Sequence, residues 1–467
     1  MSASRFAFAV LLMASAAVVA VRPAASQTLP EALALAYANN PTLQAARAQL
    51  RAVDENVPQA LAGWRPTVQM GGSIGTVDSE TQLRRGATNS TNRDPTTLNA
   101  SVTQPLYRGG RTVSSTSRAE NQVLAQRARL LVTEQQVLLD TVNAYVAVIR
   151  DQEEVRLNTN NEQVLMRQLQ ATNERFRVGE ITRTDVAQAE SRLAGARAAR
   201  SDSEGRLQNS RAAFTRVVGQ PPERLTPPQP LRQPVANARD AGSLASQNNP
   251  GVVAALFDEA AARDLIDVQF SALMPQASVT AQTFRNDFST DATRRVNGSQ
   301  VTANVTVPLF QGGAEHAAVR QARQTAQQAR QVVEDQRRTA IQQATQAFEN
   351  LTALRAQADA NRAQIRAAEI ALDGVQREAV VGSRTTLDVL NAEQELLNAR
   401  VALVRALANV ITASHNLAAA VGRMTARDLN LRVQIYDMEA YYREVRNRWA
   451  GWGDYAQGAA PPTTAGR

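Results

Sequence analysis

Apolar residues recur along this chain with two different periods. Through Leu390, Gln394, Leu397, Val401, Val404, Ala408, Ile411, His415 and Ala418 the step is 4 and 3, the heptad spacing of a helix packed along one seam. A second stripe runs beside it: Leu396, Leu403, Leu407, Val410, Leu417 and Val421. Two seams require two helical neighbours. The same stepping appears at Leu124, Ala128, Leu131, Gln135, Leu138, Val142, Tyr145 and Ile149. A two-stranded coiled coil would satisfy such seams, and so would a closed ring in which every helix has a partner on each side. Elsewhere the period is two. Val301, Ala303, Val305 and Val307 alternate with Thr302, Asn304 and Thr306, and Leu98, Ala100 and Val102 alternate with Asn99, Ser101 and Thr103. That pattern predicts strands with one apolar and one polar face.

These elements occur twice in the same order. Asn39-Asn40-Pro41 recurs as Asn248-Asn249-Pro250, and Trp64-Arg65-Pro66 corresponds to Leu273-Met274-Pro275, both at a shift of 209. QPLYRGG ending at Gly110 recurs as VPLFQGG ending at Gly313, now at a shift of 203, which holds for Gly179 with Gly382, Asp185-Val186 with Asp388-Val389, and Gly219 with Gly422. The six-residue difference falls between Pro66 and Pro105, in a loop of free length. Each copy opens with a helix, expected over Pro30 to Leu61 and Ala241 to Phe270. Two extended stretches follow, about Thr67 to Val77 with Thr97 to Pro105, and Gln276 to Phe284 with Ser299 to Pro308. Between the members of each pair, the polar segments near 78–96 and 285–298 read as exposed loops. About seventy proline-free residues then lead to Gly179 and to Gly382, each a helix of roughly 100 Å, and a second helix returns to Gly219 or Gly422. The chain thus divides into 1–26, a first repeat 27–220 with its strand pair 67–105, a Pro-rich linker 221–242, a second repeat 243–422 with its strand pair 276–308, and a polar tail 423–467.

Residues 1–26 have the form of a secretory signal: Arg5, then the apolar run Phe6 to Val21, then Ala24 and Ser26 before a mature start near Gln27. An N-terminal membrane anchor is the other reading of that run. Past it no run of eighteen apolar residues occurs, so no further helix is expected to cross a bilayer. There is no cysteine, which excludes disulfides, thiolate metal sites and a lipid on cysteine. The net charge is +8 and no lysine is present, so all 51 strong cations are arginines. They are interleaved with acids and glutamines along helices, the pattern of solvated faces, and no nucleic-acid-binding motif accompanies them. His316 and His415 are the only histidines, and His415 lies on a packing seam. No metal-ligand, P-loop, nucleophile-elbow or dinucleotide motif is found, so neither a catalytic residue, a metal nor a cofactor is expected.

Four strands of about ten residues suit a tilted membrane crossing. An open sheet cannot lie in lipid, because each unpaired edge group costs several kcal/mol, and barrels begin at about eight strands. Several chains must therefore close one barrel. Two would leave little lumen, and three would give twelve strands. A soluble four-stranded sheet in a periplasmic domain is the alternative that the pattern alone leaves open.

The repeat, the strand pair between helices and the two hairpin turns together resemble the TolC family of outer-membrane efflux and secretion channels. The marks are Val381-Gly382-Ser383-Arg384-Thr385 followed by Leu387-Asp388-Val389-Leu390, the weaker copy Val178-Gly179 with Thr184-Asp185-Val186, the Asn-Asn-Pro near the start and the Pro-Leu-Tyr/Phe-x-Gly-Gly at both strand ends. The likeness spans about residues 28–432. It implies a mostly helical, internally duplicated chain with a small β part: a homotrimer with a twelve-stranded barrel in outer-membrane lipid and a tunnel of long helices through the periplasm, whose waist the 221–242 linker and the tail after Arg423 wrap. It implies tips at Val178, Gly179, Val381, Gly382, Ser383, Arg384 and Thr385 that meet a periplasmic adaptor, coupled to an inner-membrane ABC or proton-driven pump. It also implies an entrance ringed by Asp388, with Asn391 where many members carry a second carboxylate, and held shut by polar links involving Arg384 and Asp185. Ala379 stands where an aromatic partner of that lock is expected. Asp185 and Asp388 also fit the simpler role of acids at a helix N-terminus. The function implied is the passive exit duct of type I secretion or drug efflux. A non-catalytic coiled-coil adaptor or stalk is the alternative.

Overall fold

A computed structural model describes residues 27–82, 86, 88–233, 235–290 and 293–453. The expected leader and the end of the tail lie outside them. The helices are α1 (Leu29–Asn39), α2 (Pro41–Asp54), α3 (Asn56–Leu61), α4 (Arg111–Arg177), α5 (Arg183–Val218), α6 (Ala238–Asn248), α7 (Pro250–Phe270), α8 (Ala314–Val380), α9 (Thr386–Ala420) and α10 (Ala440–Val445). The strands are β1 (Thr67–Ile74), β2 (Val77–Gln82), β3 (Thr88–Arg93), β4 (Thr96–Arg108), β5 (Gln276–Thr290) and β6 (Thr293–Thr306). α4 and α8 each run 67 residues, about 100 Å.

The single opening helix expected in each repeat is three helices in the first and two in the second, and the break common to both lies at Asn-Asn-Pro. Proline cannot donate an amide but suits the first turn of a helix. Asn40 caps α2 by accepting from the Thr42 amide (2.9 Å) while its Nδ2 donates to the Val217 carbonyl at the end of α5 (2.9 Å). Asn249 does the same, accepting from Gly251 (2.9 Å) and donating to Ala420 at the end of α9 (3.2 Å). One amide side chain thus satisfies orphan groups of two helices that abut end to end. Gly422 has φ +79°, and a Cβ there would sit 2.5 Å from the Asn248 carbonyl oxygen, so the junction needs glycine on both counts.

These splices sort the chain into four rods. α5 continues into α2 and α3 and then β1, β4 leads down into α4, α9 continues into α7 and then β5, and β6 leads down into α8. The rods pack side by side in that order. The two seams of α9 have separate neighbours. Leu390 packs with Leu165 and Leu193 of the first hairpin, whereas Val410, Leu417 and Val421 pack with Ala344 and Leu351 of α8. α9 is long and apolar enough to cross a bilayer by composition, contrary to expectation, but its seams are filled by these neighbours. The core with most large side chains lies at mid-height, where α1, α2, α4, α5, linker and tail meet around Tyr145, Phe214 and Met424. Tyr145 donates to the Thr226 carbonyl (2.7 Å), fixing the linker to α4. The linker ends earlier than expected, because Asn237 caps α6 by accepting from Asp240.

The strands follow the rod order. β1, β4, β5 and β6 form one antiparallel sheet in that sequence, with β1 and β6 at its edges. Val68, Val102, Ala281 and Val301 stand in one row across it, and Thr67, Thr103, Thr280 and Thr302 in the adjacent row on the other face. The segments expected as loops are largely strand. β2 and β3 form a separate ribbon, and β5 and β6 extend through most of 285–298. Their Thr, Ser, Asn and Arg residues lack an apolar alternation, so the period-two signal vanishes although the backbone ladder continues.

Asp54 on α2 is buried with neither carboxylate oxygen hydrogen-bonded. Burial pushes its pKa up to about 7 despite Arg127, with Glu55 adding to the rise. The folded state then holds a proton that the unfolded chain has released, so stability falls as pH rises from about 4 to about 7. Asp54→Asn should flatten that fall and raise the thermal midpoint above pH 7. An unchanged pH profile of unfolding would contradict it. At the splices, Asn249→Ala should cost about 1–2 kcal/mol, seen as a lower thermal midpoint in detergent, while Asn248→Ala should leave it nearly unchanged. Equal losses would show that the double cap contributes nothing specific.

Candidate functional site

The two hairpin ends share one backbone. α4 closes with Gly179 at φ +77°, its amide bonded to the Phe176 carbonyl and that of Glu180 to Arg175. α8 closes with Gly382 at φ +79°, bonded to Ala379, and Ser383 bonds to Glu378. Glycine takes the left-handed position that ends each helix. The return helices start with matching capping boxes. Thr182 and Thr385 are the N-caps; the Asp185 carboxylate accepts from the Thr182 amide (3.0 Å), and that of Asp388 from the Thr385 amide (2.9 Å). Hydrogen bonds from the Thr182 hydroxyl and amide hold Asp185 below the usual carboxylate range, and those from the Thr385 amide and hydroxyl do so for Asp388. The acids foreseen at the entrance are thus ionised caps within the chain.

A charged clamp crosses each turn, with reversed polarity. Arg175 at the end of α4 holds Glu180 (2.6 Å), whereas Glu378, its counterpart on α8, holds Arg384 (2.9 Å). Arg384 and Asp185, both expected in a lock, form no ion pair with each other among the described residues. Val178 and Val381 stand fully forward on the tips, each 78% exposed.

Asn391 was expected only as a missing charge, but it forms a link. Its Oδ1 accepts from Arg192 of α5 (2.8 Å), joining the two hairpins one turn above the mouth beside the buried Leu390. Nothing in the sequence pairs Arg192 with Asn391, since they come from different repeats.

A second link lies further up. Glu154 of α4 is 2% exposed and accepts from Arg405 of α9 through two bonds (2.7 and 3.1 Å) and from Arg206 of α5 (3.0 Å). One carboxylate thereby ties both return helices to α4. Burial opposes its ionisation, but the Arg405 hydrogen bonds and charge, aided by Arg206 and Arg150, hold it below the ordinary glutamate range. These side chains line a groove of about 690 Å³ between α5 and α9, with Asn158, Gln394 and Asn398. The groove is polar, which suits water and solutes. The adjacent Glu153 points away and pairs with Arg156.

Among the described residues no group of three or more His, Asp or Glu is placed to hold a metal. His415 is buried, bonded through Nδ1 to the Ile411 carbonyl (2.8 Å), and burial lowers its pKa. His316 is exposed on the first turn of α8.

The family model described as outer membrane efflux protein matches residues 32–220 and 241–423, the two repeats without the linker. The chain belongs to the outer membrane efflux protein family. It is 38% identical to the outer membrane efflux protein BepC of Brucella suis, covering 95% of this chain and 96% of that protein. It is 25% identical to the outer membrane protein TolC of Vibrio cholerae, covering 86% and 92%. The fold matches the solved Campylobacter jejuni CmeC outer membrane channel with a TM-score of 0.76, at 16% identity over 90% of this chain and 89% of that one. This family member is the outer-membrane channel of an efflux or secretion system, located in the outer membrane with a periplasmic tunnel. The adaptor or stalk reading is not favoured. In that setting the row through Val68, Val102, Ala281 and Val301 is an apolar face suited to lipid, and the threonine row a polar face suited to a lumen.

Glu154→Gln should destabilise the channel subunit by roughly 1–3 kcal/mol, the half-exposed arginines softening the cost of a broken buried pair. Because the folded pKa is depressed, the contribution of Glu154 is present above about pH 4.3 and lost as pH falls below it. The thermal midpoint of the wild type should drop between pH 5 and 3 more steeply than that of the variant, on the order of the magnitude above. Parallel curves would contradict the assignment.

Proposed function

We propose that three copies of this chain close one tube, and that the tube is the passive exit duct of a tripartite export system. The observation that supports this most is the pair of open edges. The four-stranded sheet ends in β1 and β6, and the four rods beneath it end at the same two margins. A sheet in lipid must pair both margins, and a sheet four strands wide needs other copies to do so. Three copies give twelve strands and a lumen wide enough for solutes. The same three-fold array places twelve rods beneath the barrel.

The hairpin ends then form the periplasmic mouth. Val178, Gly179, Val381, Gly382, Ser383, Arg384 and Thr385 present an apolar and cationic tip for a periplasmic adaptor, which couples the duct to an inner-membrane ABC or proton-driven pump. No energy source is needed in the duct. Three Asp388 carboxylates ring the entrance, each oriented by its own cap, and attract cations. Asn391 gives this ring fewer charges than a paired carboxylate would. Arg384 and Asp185, each held within its own hairpin in the single chain, link to neighbouring helices in the closed ring and hold the mouth shut. Cargo is protein or drug, and its choice rests with the pump.

Two measurements test the duct. The detergent-extracted particle should have the mass of a trimer, and single particles in planar bilayers should conduct poorly at rest. Arg384→Ser should raise that conductance severalfold, and unchanged conductance would remove Arg384 from the lock. Asp388→Asn should weaken block by multivalent cations added on the tip side; equal block in both proteins would remove Asp388 from the entrance.

A further inference from the structure

The chain has three tryptophans in 467 residues: Trp64 lies just before β1, and Trp449 and Trp452 lie in the tail segment that reaches Arg65. Trp64 closes the 3-10 turn just before β1. Trp449 and Trp452 come from the far end of the chain, and a chain of contacts carries them there. The Tyr436 amide bonds to the hydroxyl of Tyr37, Glu439 pairs with Arg127, and Arg446 pairs with Glu120. Tyr37 lies on α1, and along α4 the next partners, Arg127 and then Glu120, climb towards the sheet. The next contact lies just before β1: Arg65 donates to the Arg448 carbonyl (2.5 Å), and its guanidinium lies 5.2 Å from the Trp449 ring. Val445, by contrast, is buried and anchors the segment on the rods.

At the end of this climb the side chains turn outward. Trp449 is 70% exposed and Trp452 is fully exposed. A large aromatic left in water is costly unless it meets an apolar phase. Such a phase begins at this level. Tyr107 and Phe310, also exposed, stand at the same end of β4 and just beyond β6, and the lipid-facing row of Val68, Val102 and Val301 starts above them. Tryptophan prefers the headgroup layer, where its ring is apolar and its N–H remains wet. Between Glu444 and Asp454 the segment carries no acid to repel lipid phosphates.

We infer that residues 446–453 are a membrane foot. Trp449 and Trp452 insert into the headgroup–acyl boundary of the periplasm-facing leaflet, and the partner is the phospholipid surface. The foot braces the tunnel against the membrane at each copy of the chain. It supplies a second attachment besides the barrel in a chain that has no cysteine to carry a lipid. This inference rests on the placement of the sheet in the outer membrane and adds a contact outside the barrel.

The test uses full-length Trp64→Phe protein, in which all tryptophan emission comes from the foot, reconstituted into phosphatidylethanolamine–phosphatidylglycerol vesicles. Co-flotation with the vesicles reports barrel insertion separately. Lipids brominated near the headgroup should quench the emission at least twofold, and lipids brominated near the acyl terminus clearly less. Flotation without quenching overturns the foot and leaves the channel reading intact. Trp449→Ala/Trp452→Ala protein that floats but dissociates into monomers, together with unquenched emission in the Trp64→Phe protein, would assign the segment to a neighbouring copy instead and would also overturn it. Failure to float at all would overturn the membrane placement on which both rest.

Discussion

A backbone amide or carbonyl inside hydrocarbon must have a partner, and that requirement shapes this chain from top to bottom. Inside the sheet every strand is paired by a neighbour, and the cost falls on the outer margins of β1 and β6. Apart from Arg294 and Arg295 near the start of β6 and a register shift past Asp287, these edges lack the charges and bulges with which soluble sheets blunt theirs. Val68, Met70 and Ile74 stand exposed on β1, and Val301 and Val305 on β6. An edge left so apolar is an edge meant to be covered by lipid on its face and by another strand on its margin.

The helical part inherits its width from the sheet. Each strand continues into one rod, so four strands fix four rods, and the spacing problem passes downward to the joints. The joints are made by Asn40 and Asn249, each of which caps two helices with one side chain. Rods spliced in this way behave as single struts, although at each splice the chain between the two helices runs through a strand pair and an entire helical hairpin. Below the splices the rods are tied by charge: Glu154 grips both α5 and α9, and Asn391 meets Arg192 near the mouth. Above them the tail fastens the first two rods together. A duct of this kind is held rigid at mid-height and by fewer bonds at its lower end, which is where an entrance has to change.

The duplication, the two seams of α9, the four strands and both hairpin turns were legible because each leaves a periodic or punctuated trace. Asn-Asn-Pro was legible as a repeated motif, yet its effect was missed: a helix that stops and restarts in line keeps its apolar stripe, so periodicity runs through the break. The extracellular ends of the strands were hidden for the opposite reason. A ladder whose two faces are both polar has no alternation to detect. At the mouth, Gly382, Thr385 and Asp388 announced a turn and a cap, and the structure places them so. Arg192 with Asn391 and Glu154 with Arg405 could not be read, since pairs drawn from different repeats depend on the packing of one hairpin against the other. The climb of the tail to Arg65 was invisible for the same reason.

Closure of the open sheet by other copies is the central claim, and a cysteine-free chain allows it to be tested cleanly. Single cysteines placed along β1 can be combined with single cysteines along β6 and oxidised in membranes. Within one chain these strands are separated by two others, roughly 14 Å apart, well beyond the reach of a disulfide at about 4–7 Å between Cα atoms. At one register the account predicts covalent dimers and circular trimers on a denaturing gel. Monomers at every register, or a cross-link formed inside a single chain, would contradict it.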